Sequence, residues 1–300
     1  MAAIASHNTA MLTLSIAMQI KKIPRSDESR EVVRLLTNSI LPRSLHKNIF
    51  LTRLASRLVR FMFIPVDFSR LFDEDCNLGT VDFYSRAFEK INFTYKWTTP
   101  PTQYIPQSGP VIFIANHTLG PADLFIAILL SRFRPDIKII TNEYLYRVDT
   151  GFKDIFLPVP TRSKYALQFH LRLLKRMQDG GSLLIFPAGK VANRYRDNLL
   201  QDEIWSGFFC RLASETGATI VPIRTNGSHN KWLYHFSHMG NWAMYIFQMS
   251  GLRLMFRMKN RHVNASVGPP ITASELKHLG VNFEQKCAAV RKRLEQIIVN

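Results

Sequence analysis

His117 and Asp123 are the residues in this sequence whose types and spacing best suit chemistry. They lie in Phe113-Ile-Ala-Asn-His117-Thr-Leu-Gly-Pro-Ala-Asp123-Leu-Phe, six positions apart, with a Gly-Pro turn signal between them. A neutral imidazole can take a proton from an attacking hydroxyl through one ring nitrogen. A carboxylate on the other nitrogen fixes the tautomer and stabilises the imidazolium that forms. Positioned acid–base catalysis of this kind is worth on the order of 10²–10⁴-fold in rate. The same two residues also read as a structural histidine held by a carboxylate at a helix start. No close third ligand accompanies them, so a metal site is not expected.

The elements around the pair must place it. Residues 111–115 form a continuous apolar run suited to a buried strand, so His117 falls just beyond a strand end, where α/β proteins display reactive groups. Pro121 suits the first turn of a helix running to Ser131, where Asp123 can meet free amides. Further strands are expected at 137–140, 183–186, 218–223 and 263–267, with helices at 165–177 and 204–216 and a long polar loop over 187–202. Thr272 and Glu275 make a capping box for a C-terminal helical region. Gly280 interrupts that region, and Phe283, Val290, Leu294 and Ile298 supply its packing face. The alternation predicts an α/β fold: a mixed, largely parallel central sheet flanked by helices, with an N-terminal helical region.

Residues 1–90 read as an auxiliary, partly helical region and 91–300 as the α/β domain. Leu51, Leu54, Leu58 and Phe61 recur at helical spacing with Arg53, Arg57 and Arg60 on another face. That pattern fits a helix lying in a membrane interface or one packed on its own domain. A second helix over 81–91 and a strand over 93–97 follow.

With 39 Lys plus Arg against 22 Asp plus Glu, the chain carries a formal charge of +17, which favours an anionic partner. No helix-turn-helix, RRM-like or Cys-pair pattern is present, so nucleic acid is not expected, and acidic lipid or a phosphorylated substrate remains. Cys76, Cys210 and Cys287 are odd in number and far apart, which argues against a disulfide framework and suits a reducing compartment. The apolar stretch at 10–20 has no Lys or Arg before it, and the stretch at 242–252 runs into Arg253 and Arg257. Neither a signal peptide nor a transmembrane span is expected.

The segment around His117 resembles the signature block of the PlsC-like glycerolipid and lysophospholipid acyltransferase superfamily, Asn-His, four residues, Asp. Five residues separate His117 from Asp123 here, which looks like the haemolysin-like branch related to ornithine-lipid acyltransferases. Ile185-Phe-Pro-Ala-Gly-Lys190 is similar to the family's Phe-Pro-Glu-Gly block, with Ala188 in place of the glutamate. Asp202-Glu-Ile-Trp205-Ser-Gly207, Ile220-Val-Pro-Ile223 and Gly268-Pro-Pro-Ile271 follow in family order. The middle block is loosely met by the segment ending in Arg162.

The resemblance implies transfer of a fatty acyl group from acyl-CoA or acyl-carrier protein to the hydroxyl of a lyso-lipid, either a lysophospholipid or a lyso-ornithine lipid. His117 would be the general base and Asp123 its partner, with the donor an external substrate and no bound cofactor. It also implies peripheral or monotopic attachment to an anionic membrane surface, at the cytoplasmic face of the inner membrane. Arg162 is a candidate substrate contact on this basis.

Local chemistry adds Gly189, which lets the backbone approach a ligand, and Lys190, Arg194 and Arg196, which can set cations beside a phosphate. A solvated basic loop is the other reading of these four. Arg224 and Asn226, just past a strand, are expected to border the same cleft. Trp205 reads as a packing anchor, and His229, His235 and His238 as structural. A rival functional class is a non-catalytic, membrane-associated lipid-binding protein, which would keep the basic surface without needing the His117–Asp123 pair.

Overall fold

The computed structural model describes residues 44, 47–63, 74–75, 78–142, 155–160, 162–192, 194–196, 199–229 and 251–299. The expectations for residues 10–20, Cys76, His235, His238 and 242–250 fall outside these.

Val111–Ala115 is a strand buried along its whole length. Side chains alternate across a strand, so Val111, Phe113 and Ala115 enter one core while Ile112 and Ile114 enter another. Burial on both faces is why the sequence here is continuously apolar rather than alternating. Around this strand, β2, the described residues build a seven-stranded sheet in the order β1-β9-β8-β2-β5-β3-β4. Its members are β1 (Thr94–Trp97), β2, β3 (Lys138–Asn142), β4 (Phe156–Val159), β5 (Ser182–Ile185), β8 (Thr219–Thr225) and β9 (His262–Val267). All neighbours run parallel except β8 and β9. The mixed, largely parallel sheet expected from the alternation of elements is therefore present.

The helices are α1 (Ile49–Phe63), α2 (Thr80–Lys90), α3 (Leu124–Ser131), α4 (Ala166–Gln178), α5 (Phe208–Thr216), α6 (Gly251–Phe256), α7 (Ala273–His278) and α8 (Phe283–Gln296). On one face of the sheet, α3 buries every residue from Leu124 to Leu130 and is covered by α2. Phe83, Ala87 and Phe88 of α2 are wholly buried in the same core as Phe113. Residues on both sides of position 90 thus share one core. On the other face, Phe169, Leu173 and Met177 of α4 pack with Phe209 and Leu212 of α5 and with Val290 and Leu294 of α8. Each fully buried Phe or Leu is worth about 1.5–3 kcal/mol relative to exposure.

Four points need correction. The strand β4 was not foreseen, because Pro158 lies inside it; β4 is an edge strand, where a missing N–H costs no ladder bond. The polar loop over 187–202 contains a small antiparallel ribbon, β6 (Arg194–Arg196) with β7 (Leu199–Gln201). The helix expected from Ile204 begins only at Phe208, with Ile204 turned to solvent, because the chain before it is tied up at the site described below. At the C-terminus the N-cap half of the expected capping box is formed, with the Glu275 amide donating to Thr272 Oγ1 at 3.1 Å, while the Glu275 carboxylate accepts from Arg293 instead of the Thr272 amide. Ile298 lies beyond the end of α8 and is exposed; Ile297 packs in its stead. Among the described residues, no helix is long and apolar enough to cross a membrane.

Candidate active site

The connection after β2 runs through α3 on one face of the sheet, and the connection after its neighbour β5 runs through α5 on the other. Where successive connections diverge in this way, a crevice opens outside the carboxyl ends of the two strands. Asn116 and His117 follow β2 into that crevice, and Phe186 to Lys190 follow β5.

Asn116 ties the first of these ends to β8. Its Nδ2 donates to the Thr225 carbonyl at 3.1 Å, and its Oδ1 accepts from the Thr225 amide at 2.9 Å. The next residue is gripped at both backbone groups. Asp202 Oδ1 accepts from the His117 amide at 3.1 Å, and the His117 carbonyl accepts from the Ala192 amide at 2.6 Å. Asp202 Oδ2 accepts from the Trp205 indole N–H at 3.0 Å. Arg291 of α8 donates to the carbonyls of Asp202 and Glu203, and its guanidinium lies over the Trp205 ring at 5.7 Å. Burial pushes the Asp202 carboxyl up, against the downward pull of the hydrogen bonds from His117 and Trp205.

The chain then turns through Gly120, whose φ of +62° lies in the left-handed region that favours glycine. This fold-back carries Asp123 under the imidazole. His117 Nδ1 is 2.8 Å from Asp123 Oδ2, and the Leu119 amide donates to the same oxygen at 2.9 Å. An amide can only donate, so Oδ2 is an acceptor and Nδ1 is the protonated ring nitrogen. The neutral ring then keeps its lone pair on Nε2, which has no partner among the described residues. The imidazole stacks on Phe186 at 4.4 Å with planes 28° apart, and its side chain is 20% exposed while that of Asp123 is 1% exposed. Asp123 Oδ1 is buried without a hydrogen-bond partner among the described residues. Asp123 takes the Leu119 amide upstream of it rather than the free amides of α3, as the sequence had suggested; α3 has no side-chain cap.

Behind this loop His229 is buried, with Nε2 3.1 Å from the Leu119 carbonyl. Burial holds its imidazole below the usual range, against the opposing effect of that carbonyl. Gly227 is equally constrained, since a Cβ there would stand 2.4 Å from Leu119 Cδ1.

The structure therefore brings His117 and Asp123 together and sets the Phe186–Lys190 turn against them. Gly189, at φ +63°, and Lys190 are exposed in that turn, and nothing lies within 4 Å of where a Gly189 side chain would begin. Arg162 is exposed at the end of β4, three strands from β2, or about 14 Å at the usual spacing between strands. Arg224 donates to the carbonyls of Glu295 and Ile297 at the end of α8. Asn226 Oδ1 accepts from the Asn264 amide, extending the contact between β8 and β9. Arg194 and Arg196 lie in β6, for which the backbone alone is described. Asn116, Asp202, His229 and Arg291 had been given no role at the site. The Asn-His pairing in the block around His117 and the Asp202 to Trp205 spacing of three, both inside segments already singled out, were the available signals. Among the described residues, no group of three or more His, Cys, Asp or Glu is placed to hold a metal ion.

Against this geometry the chain can be compared with known proteins. A lyso-glycine lipid O-acyltransferase of Phocaeicola vulgatus is 23% identical over 196 residues, which span 64% of this chain and 69% of that protein. The crystal structure of the 1-acyl-sn-glycerophosphate acyltransferase PlsC of Thermotoga maritima aligns over 97% of this chain and 95% of its own, at 15% identity and a TM-score of 0.43. That likeness is too loose to transfer any residue. A family model described as acyltransferase matches residues 43–298, nearly the whole chain, and the protein belongs to the PlsC-like acyltransferase superfamily.

Proposed function

We propose that this protein transfers a fatty acyl group from a thioester, acyl-CoA or acyl-carrier protein, to the hydroxyl of a lyso-lipid, with His117 as general base and Asp123 as its partner. The observation that carries this reading is the 2.8 Å contact between His117 Nδ1 and the buried Asp123 carboxylate, which directs an unprotonated Nε2 toward the crevice. Nε2 takes the hydroxyl proton as the oxygen attacks the thioester carbonyl carbon. The C–S bond then breaks, and the departing thiolate receives the proton from the imidazolium. The products are an ester and a free thiol, and no bound cofactor is consumed. The oxyanion of the tetrahedral intermediate would need hydrogen-bond donors, which backbone amides or a nearby cation would supply.

For the acceptor, the similarity to a lyso-glycine lipid O-acyltransferase supports a lyso-lipid with an amino-acid headgroup, such as a lyso-ornithine lipid, ahead of a lysophospholipid. Gly189, Lys190 and the β6 arginines Arg194 and Arg196 are the groups we assign to anionic parts of donor or acceptor; Arg162, Arg224 and Asn226 are assigned to the rim. Residues 1–90 we assign to an auxiliary, membrane-associating region whose last helix, α2, is anchored in the core of the α/β domain, and the protein to the cytoplasmic face of an anionic inner membrane, where thioester donors occur.

The test is mass spectrometry of purified wild type and His117→Ala incubated with acyl-CoA or acyl-carrier protein and a panel of lyso-amino-acid lipids and lysophospholipids. The reading expects a product heavier by one acyl chain from wild type alone, with both proteins melting as folded domains. Transfer that survives in His117→Ala, or none from folded wild type with either donor, overturns it. In the latter case a lipid-binding protein without catalysis becomes the better account.

A further inference from the structure

Helix α4 covers the sheet with Phe169, Leu173 and Met177, yet it carries leucines on its opposite side as well. At about 100° of rotation per residue, Leu167 and Leu171 stand about 120° and 160° round the axis from Leu173. They are 67% and 54% exposed, and Tyr165, in the turn leading into the helix, is 42% exposed. A single exposed leucine is unremarkable, but two stacked one turn apart beside an exposed tyrosine form a patch. Along this stretch of chain the charge has one sign, with Glu215 of α5 paired to His170 on the helix's flank. From Ile155 to Gln178 the chain has five cations, Arg162, Lys164, Arg172, Lys175 and Arg176, and no Asp or Glu. Lys164 Nζ lies 4.9 Å from the centre of the Tyr165 ring, so the tyrosine has a cation beside it.

The placement of α4 makes this patch relevant to the site. The helix begins after the carboxyl end of β4 and ends before the amino end of β5, so it runs back across the sheet from the edge that carries His117. Tyr165, Leu167 and Leu171 belong to its first half and lie toward that edge. Apolar side chains ringed by cations match the boundary between acyl chains and acidic headgroups, which accepts both at once.

We propose that the outward face of α4, Tyr165, Leu167 and Leu171 with Lys164, Arg172 and Lys175 around them, docks on an anionic lipid bilayer. Docking there holds the carboxyl edge of the sheet, near which α4 begins, beside the headgroups. This rests on the function proposed above in one respect: a lyso-lipid acceptor resides in the bilayer, so an enzyme acting on it gains from meeting that surface at the site's own edge.

The full chain is tested as wild type, Leu167→Glu/Leu171→Glu and Lys164→Gln/Arg172→Gln. Co-sedimentation is measured with phosphatidylcholine vesicles, with and without a quarter of phosphatidylglycerol, and acyl transfer is measured with detergent-dispersed lyso-lipid and acyl-CoA. The double glutamate variant should bind anionic vesicles about tenfold or more weakly, while its melting temperature and its turnover in detergent stay close to wild type. The double glutamine variant should lose the preference for anionic over neutral vesicles. Equal vesicle binding by wild type and the glutamate variant overturns the proposal. So does a glutamate variant that binds vesicles normally but no longer captures acyl-carrier protein, because the occupant is then an acidic protein. Wild type that docks through this face but transfers no acyl group leaves the surface standing and overturns the acyl-transfer reading instead.

Discussion

Replacing Asp123 with Asn separates the charge that His117 draws from its partner from the shape that holds it. The two side chains are nearly isosteric. His117 Nδ1–H and the Leu119 amide converge on one oxygen at 2.8 and 2.9 Å, so an asparagine turns its carbonyl there and leaves its NH₂ in the place of Oδ1. The imidazole tautomer and the direction of Nε2 are then preserved. What disappears is the attraction between a carboxylate and the imidazolium that forms as the hydroxyl loses its proton. Two unit charges about 4 Å apart interact by about 4 kcal/mol at an effective dielectric near 20. A neutral carbonyl retains part of this, so kcat should fall by roughly 10²–10³-fold. Because the charge develops only in the transition state, KM should hardly move. The new NH₂ sits where Oδ1 has no partner among the described residues, and an unpaired buried donor costs about 1–3 kcal/mol of stability. Initial rates of acyl transfer by mass spectrometry, with thermal melting on the same samples, measure all three quantities. A folded Asp123→Asn protein that keeps kcat within about threefold of wild type would refute the reasoning and make Asp123 a purely structural support.

Four further outcomes are expected. His117→Ala should abolish transfer without unfolding the protein, as read by product mass and melting temperature. Leu167→Glu/Leu171→Glu should release the protein from anionic vesicles while sparing turnover in detergent. Burial lowers the His229 pKa, so below about pH 6.5 the unfolded chain binds more protons than the folded one, and stability falls as pH drops through that window. His229→Gln, which never charges, should show a shallower loss of melting temperature on acidification; parallel curves for the two proteins would count against this. Gly227→Ala drives a methyl to 2.4 Å from the buried Leu119 side chain, whose amide and carbonyl meet Asp123 and His229. It should lose about 1–3 kcal/mol by denaturant melting and lower transfer as well, and an unchanged rate would show that Leu119 does not matter to the pair.

Much of the fold was legible because its signals are local. The apolar run of β2, the Gly-Pro turn, the Thr272 N-cap and the glycine after α7 each depend on a few adjacent residues, and each appears in the structure where it was expected. β4 escaped notice because Pro158 argues against a strand unless the strand is known to be an edge, and edge status is a property of the whole sheet.

The amino-acid sequence by itself determined that an imidazole and a carboxylate would follow a buried strand, and it carried enough motif order to point to the superfamily. Tertiary structure alone decided what surrounds them. Asp202 meets the His117 amide across 85 positions of sequence, His229 reaches the Leu119 carbonyl across 110, and Arg291 reaches the Asp202 carbonyl across 89. Arg224, which the sequence placed beside the cleft, also donates to the carbonyls of Glu295 and Ile297 at the end of α8. Spacing along the chain encodes contacts within a turn or two of helix or strand. Contacts between segments this far apart arise only when the sheet order and the packing of both faces bring them together, which no local pattern specifies.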